Sequence, residues 1–313
     1  IAYLEKHTNL KDAPDTIKSY LKYIGSRASI KDASHQSAID YAILTSKLNI
    51  LEVLCTECDI EISHDNLFSA IIFTTTDNNF SCPEFLLKKA KMPAIRTAIK
   101  KYSAELFRHA IFIQMSVNRT QWLVDHSFNP EVTFSDGQNA LQILLQNCND
   151  DNFKTHFAIA TALLSKEDSR LAILTNQNLH GKQINKNCLD KVIYLGITKS
   201  VNPDNLYKLF KLLFDNGAMV DHLSVTKEMN ILHYLLVINN LKVLDLCLNY
   251  ISHRQQMEFL LQSDSKDKTV LDLANSRLAE GKAHKSVHAR FMQLESDILA
   301  IYERKSKSYL KIT

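Results

Sequence analysis

Apolar residues along the chain fall into short groups at helical spacing, in pairs separated by a polar break. Within residues 37–62 the first group is Ile39, Ala42 and Ile43, and the second is Ile50, Leu51 and Leu54. Between them lies the mostly polar stretch 45–49. Steps of three and four residues put each group on one face of a helix, so the segment predicts a helix–turn–helix pair with short arms. The pattern returns at Asn230 as NILHYLLVINNLKVLDLCL. Here Ile231, Leu232, Leu235 and Leu236 build the first helix, and Val243, Leu244, Cys247 and Leu248 the second. The two segments align without a gap through both helices, an agreement that helical periodicity alone does not produce. Near the end, Val287, Phe291, Leu294, Ile298 and Ile301 recur at three- and four-residue steps and predict one continuous helix over 285–304.

Repetition at a fixed period signals stacked supersecondary units, and the residues at the start and end of each unit narrow the choice. Residues 230–234, NILHY, carry a Leu-His pair at Leu232 and His233. Residues 136–144, DGQNALQIL, and 269–274, TVLDLA, are further beginnings, with 105–111, ELFRHAI, and 187–193, NCLDKVI, as weaker ones. Residues 211–221, KLLFDNGAMVD, and 122–130, WLVDHSFNP, read as ends. Together these segments resemble the ankyrin-repeat family, whose units open on a Thr-Pro-Leu-His motif and close on a Gly-Ala-rich turn. Taking the Thr of that motif as register gives Ser37, Asn66, Glu105, Asn139, Asn187, Asn230 and Thr269. The spacings scatter around the family period of about 33 residues.

The resemblance implies an all-α fold, an ankyrin-type helix-turn-helix solenoid with a C-terminal capping helix. Residues 1–280 would hold about seven divergent repeats, with an insertion near 166–184, and residues 281–313 the C-terminal helix and a basic tail. The chain departs from the family in having only six glycines and no intact Thr-Pro pair, so its repeats are expected to be looser than consensus units. Tandem hairpins of the tetratricopeptide or HEAT kind are the alternative.

Composition narrows the function classes. Of 313 residues, 45% are hydrophobic and 23% charged, enough for a real core. A net charge of +3 argues against a dedicated nucleic-acid binder, which carries a strongly basic face. The cysteines, at 55, 58, 82, 148, 188 and 247, fall mostly inside apolar helical patterns, where a thiol acts as a small hydrophobe. A reducing, cytoplasmic setting is therefore expected. No apolar run reaches the roughly 18 residues of a membrane span, so no membrane insertion is expected. The chain opens on Ile1 rather than Met, as a fragment would. Lys outnumbers Arg by 28 to 9, and Asn is frequent at 23. This AT-rich codon usage resembles ankyrin proteins that intracellular bacteria deliver into host cells, which implies an effector acting in the host cytosol.

Candidate chemistry is sparse. Cys55-x-x-Cys58 with His64 looks like half of a zinc site, but the second ligand pair is missing, and in the repeat register Cys55 takes a core Leu position and Cys58 that of a terminal Gly. No phosphate loop, dinucleotide fingerprint, nucleophile elbow or metalloprotease helix occurs, so no catalytic residue, metal, cofactor or small-molecule substrate is expected. His233 stands at the motif histidine, which in the family hydrogen-bonds across neighbouring repeats; Asp40, Asp190 and Asp272 occupy the same slot. The resemblance also implies where a partner protein, host or other, would bind. Loop positions before each first helix include Gln36, Tyr102, Asp136, Gln138, Lys227 and Met229. Positions at first-helix ends include Phe112, Gln146 and Asn147, with Ile113, Val237 and Ile238. The apolar members would form an exposed stripe marking an interaction site, unless a register shift of one returns them to the core. The tail cations Arg304, Lys305, Lys307 and Lys311 read as a solvated helix end. The leading expectation is a protein–protein interaction module. The rival is an enzyme, or its targeting half, recognisable if 166–184 packs with 285–309 into a polar pocket.

Overall fold

The computed structural model describes residues 23, 31, 33, 36–56, 61–73, 80–113, 115–167, 174, 187–220 and 229–309, with side chains placed as far as Ile301. Among these residues every regular element is a helix, and none is long and apolar enough to cross a membrane. The chain divides into two compact units, residues 1–129 and 130–313.

In the first unit α1 (Ala38–Leu44) and α2 (Leu48–Thr56) form a hairpin, followed by α3 (His64–Phe73) and α4 (Ser81–Lys89). Next come α5 (Met92–Arg108), a π-helical turn His109–Ile113, and α6 (Val117–Asp125). Helix α3 packs between α1 and α5, while α2 packs on α4. Ile39, Ile43, Leu51, Leu54, Leu67 and Leu86 lie in their shared core, each almost wholly buried.

The second unit is a succession of hairpins: α7 (Ala140–Gln146) with α8 (Phe153–Leu163), α9 (Cys188–Thr198) with α10 (Pro203–Asp215), and α11 (Ile231–Ile238) with α12 (Leu241–Tyr250). Helix α13 (His253–Leu261) follows, then α14 (Val270–Ala279) and α15 (Lys285–Tyr309). First helices pack on first helices in the row α7–α9–α11–α14, and second helices form a parallel row α8–α10–α12–α15. The apolar stripe read in the last segment is buried at Val287, Phe291, Leu294 and Ile298.

Why first helices start where they do is a local matter. A helix leaves its first N–H groups without partners, and a short polar side chain at the N-cap answers one of them. Ser37, Asn139, Asn187, Asn230 and Thr269 are all N-caps. At all but Asn230 the side chain three residues on returns the bond to the cap's own N–H, closing a capping box. Each such cap is worth about 1 kcal/mol.

Two register positions differ from the sequence reading. Asn66 is not a helix start: Ser63 Oγ accepts from the Asn66 N–H at 3.1 Å, and Asn66 Oδ1 accepts from the Ser63 N–H at 3.0 Å. The box therefore begins three residues earlier. Glu105 lies inside α5, which starts at Met92 with Pro93 in its first turn. Nothing breaks the helix before Glu105, because the Ser103 hydroxyl donates back to the Ile99 carbonyl at 2.6 Å instead of capping a new start. Helix α13 is an addition to the anticipated pattern. Its buried Gln256 donates from Nε2 to the Leu248 and Ile251 carbonyls at 2.8 and 2.9 Å, closing the end of α12.

The two segments read as repeat ends share one turn. After α10, Gly217 has φ 94°, its N–H bonds Phe214 O at 2.9 Å and the Ala218 N–H bonds Leu213 O at 3.0 Å. After α6, Ser127 has φ 64° with the same pair of bonds, to Val124 O at 3.1 Å and from Phe128 to Leu123 O at 3.0 Å. This is the Schellman stop, which favours glycine, and serine holds it in the first unit against a backbone cost.

Candidate functional site

In the first unit, the anticipated partner residues do not all stand where the family pattern put them. Gln36 is half-buried just before the α1 cap. Tyr102 belongs to the interior of α5 instead of a loop. Its ring stacks on Phe68 at 4.3 Å between centroids, and its hydroxyl donates to the Asp65 carboxylate. Lys101 completes the cluster, 3.5 Å from Asp65 and 3.4 Å from His64 Nε2. The Tyr102 hydrogen bond holds the Asp65 carboxyl below its ordinary value, while partial burial, followed by Asp65, pushes the Tyr102 hydroxyl up. This network ties α3 to α5. Phe112 and Ile113, on the π-helical turn, are 39% and 69% exposed, so these two apolar side chains face solvent.

In the second unit, Asp136 and Gln138 form a loop pair before α7: Asp136 accepts from the Gln138 N–H at 3.0 Å and from its Nε2 at 3.1 Å. Gln146 and Asn147 are exposed at the other end of α7. A seven-residue helix places the two pairs about 10 Å apart along its axis. Gln146 Oε1 accepts from Lys191 of α9 at 2.8 Å, and Asn147 Nδ2 donates to the Ile143 carbonyl at 2.9 Å. Met229 is half-buried beside the Asn230 cap. Lys227, Cys58 and most of the 166–184 insertion lie outside the described residues, and the basic tail lies beyond the described side chains. Val237 and Ile238 are half-buried.

The four residues assigned to the motif-histidine slot behave differently from one another. His233 is fully buried, and its Nε2–H donates to the Lys268 carbonyl at 3.3 Å, in the loop before the next first helix. Asp40 closes its own capping box and also accepts from Asn66 Nδ2 at 3.0 Å, reaching the next hairpin. Asp190 and Asp272 close the boxes of α9 and α14. Their carboxylates thus act as caps, as that of Asp40 does.

His233, His156 and His109 all have their proton affinity lowered, in each case first by burial. The unfolded chain would take up these protons near pH 6.5 and the folded chain resists them. Their contribution to stability is thus present above that pH and is lost as the pH falls below it. The unfolding free energy should fall between pH 7.5 and pH 5.5, above the range in which carboxylates titrate. His233→Gln, which places at α11 the residue that caps α7 at Gln142, should flatten this slope. Denaturant titrations across that range would show it, and an unchanged slope in the variant would remove His233 from the explanation.

A feature absent from the sequence reading lies along the hairpin turns of the second unit. Asp150 Oδ1, in the α7–α8 turn, accepts from the Asn202 N–H, Asn202 Nδ2 and Asn205 Nδ2, each at 2.9 Å. Asn240 Nδ2 donates to Pro203 O at 3.1 Å, and the His284 N–H donates to Asn239 Oδ1 at 2.8 Å. Each turn is thereby tied to the next. Between them opens a cleft of about 620 Å³ with Leu206, Val237 and Ile238 in its wall and Lys199, Arg277 and Lys282 among its polar lining. The residues come from turns tens of positions apart, so no local motif marks them.

Cys148, Cys188 and Cys247 are shielded from solvent. Burial pushes the Cys148 thiol up to about 11 and raises those of Cys188 and Cys247 as well, which disfavours the reactive thiolate. Among the described residues no group of three His, Cys, Asp or Glu side chains is placed to hold a metal ion.

No protein-family profile matches the chain, and no solved structure matches it. The DNA-directed RNA polymerase subunit alpha of Stigeoclonium helveticum is 29% identical over 140 residues, covering 42% of this chain and 25% of that protein. The chain thus spans about a quarter of the length of that relative, a similarity that assigns it to no family.

Proposed function

We propose that this chain is a divergent ankyrin-type solenoid that works by binding a partner protein. One observation carries the reading. Five of the seven positions aligned with the family's motif threonine, Ser37, Asn139, Asn187, Asn230 and Thr269, cap a helix. Four of those helices form the row α7–α9–α11–α14 or, with α15, its covered end. The shared Gly217 and Ser127 stops add support from the other end of the repeat.

The binding positions are those exposed at first-helix ends and in the preceding loops. Phe112 and Ile113 supply the apolar anchor of the kind that dominates binding energy. Asp136, Gln138, Gln146 and Asn147 supply a polar surface. The Lys- and Asn-rich composition favours an effector whose partner is a host cytosolic protein.

The test is capture of partners from eukaryotic cell lysate by the wild type, Phe112→Asp, Asn147→Lys and a control, Lys211→Glu, on the second-helix row. A binding-surface role predicts one partner whose recovery falls about tenfold or more in at least one of the first two variants and is kept by the control. Partners equally retained by all variants, or none at all, would overturn the surface assignment.

A further inference from the structure

We propose that the cleft along the hairpin turns of the second unit binds a small amphiphilic organic anion, a carboxylate or phosphate group on an apolar body. At about 620 Å³ the cleft is of the size that holds small ligands. Its lining carries three permanent cations, Lys199, Arg277 and Lys282, against one carboxylate, Asp150. One oxygen of that carboxylate, Oδ1, accepts three hydrogen bonds from Asn202 and Asn205; its charge remains, and the lining is still net positive. Lys282 is paired with Glu280 at 2.9 Å. The other two cations have no direct ion pair among the described residues, although the Glu280 carboxylate is near enough to feel the charge of Arg277. Among the described residues the Lys199 side chain makes neither an ion pair nor a hydrogen bond, and no carboxylate lies within ion-pair distance of Arg277. The Arg277 guanidinium makes one long bond, from Nη2 to the Lys282 carbonyl at 3.5 Å, and its Nε is buried without an acceptor.

A buried donor left without an acceptor is costly, and a guanidinium is shaped to take two oxygens of one carboxylate or phosphate. The rest of the cleft argues for more than a bare ion. Val201, Leu206, Val237, Ile238, Leu241 and Val287 give it an apolar wall, which an inorganic anion would leave wet and a hydrocarbon chain would cover. A neutral apolar ligand would in turn leave both cations unanswered. An anion carried on an apolar body satisfies both halves. This site lies on the turns that follow the first helices; its lining includes Val237 and Ile238 but none of Phe112, Ile113, Asp136, Gln138, Gln146 or Asn147, so it does not depend on the reading of those residues as a protein-binding surface.

The experiment is calorimetric titration of the full chain at constant ionic strength with octanoate and octyl phosphate, beside octanol and octylammonium. One saturable site is expected for at least one of the two anions, with the alcohol and the ammonium at least about tenfold weaker. Lys199→Gln changes a solvent-facing turn residue and should keep the melting temperature while weakening the anions about tenfold; Arg277→Gln should weaken them at least as much. Co-sedimentation with phosphatidylcholine vesicles, with and without phosphatidic acid, identifies the source. Vesicle binding lost in Lys199→Gln together with soluble-probe binding assigns a lipid headgroup, and soluble-probe binding alone assigns a free metabolite-sized anion. The proposal is overturned by no saturable binding of either anion, by octanol binding as tightly as octanoate, or by affinities unchanged in both variants. Vesicle binding without soluble-probe binding would place the attraction outside the cleft and overturn it equally.

Discussion

Phe210→Ala should lower the unfolding free energy by about 3–5 kcal/mol. Phe210 sits on α10 with no exposed surface, in the middle of the second-helix row, where α10 packs on α8, α9 and α12. Phe214, one turn on, has its ring 6.1 Å away. Truncation removes the burial of a whole aromatic ring and leaves a cavity that helices tied by their capped ends cannot collapse into. Domains are typically stable by about 5–15 kcal/mol, so this one change would bring the second unit close to unfolding. Phe210→Leu, which keeps most of the volume, should cost less than about 1.5 kcal/mol. Denaturant midpoints at constant slope separate the two. A loss below about 1.5 kcal/mol for the alanine variant would mean that the row is not closed around this ring.

Gly196→Leu should cost about 1–3 kcal/mol or more, by overpacking. Gly196 lies in α9, where glycine gives up about 1 kcal/mol of helix propensity relative to alanine, so its presence needs a reason. A Cβ built there would meet Leu206 Cδ2 at 2.9 Å and Ile238 Cδ1 and Cγ1 at 3.0 Å. The glycine lets α9 approach α10 and α11 closely. The opposing atoms belong to two flexible side chains beside the cleft, Leu206 and Ile238, so a single methyl can be absorbed by small rotations. Gly196→Ala should therefore fall within about 1 kcal/mol of the wild type, its better propensity offsetting the contact. A leucine has no such outlet and must force α11 away or fill the cleft. Thermal melts of the three proteins would check this. A leucine variant as stable as the alanine one would mean that α9, α10 and α11 are less closely packed than this geometry states.

Much of the first-helix row was legible before any coordinates. Caps act over three residues, so Ser37, Asn139, Asn187, Asn230 and Thr269 could be recognised from their own neighbours. The amphipathic spacing of Val287, Phe291, Leu294 and Ile298 likewise announced α15. Where two local signals competed, the repeat template chose wrongly. Both Ser63 and Asn66 are good capping residues, and the pattern alone did not tell giver from receiver. At Glu105 an imposed period overrode a run of good helix formers that continues unbroken from Met92.

The sequence by itself determined that this protein is helical, where most first helices begin and which stripe of each helix is apolar, because those properties are set within a few residues along the chain. Tertiary structure alone decided that Tyr102 locks onto Asp65 and that α13 closes the end of α12. It also decided that Phe112 and Ile113 face solvent while Val237 and Ile238 line a cleft with Lys199 and Arg277. Those outcomes depend on which groups meet across tens of residues and on how closely helices approach, and neither quantity is carried by the spacing of polar and apolar positions.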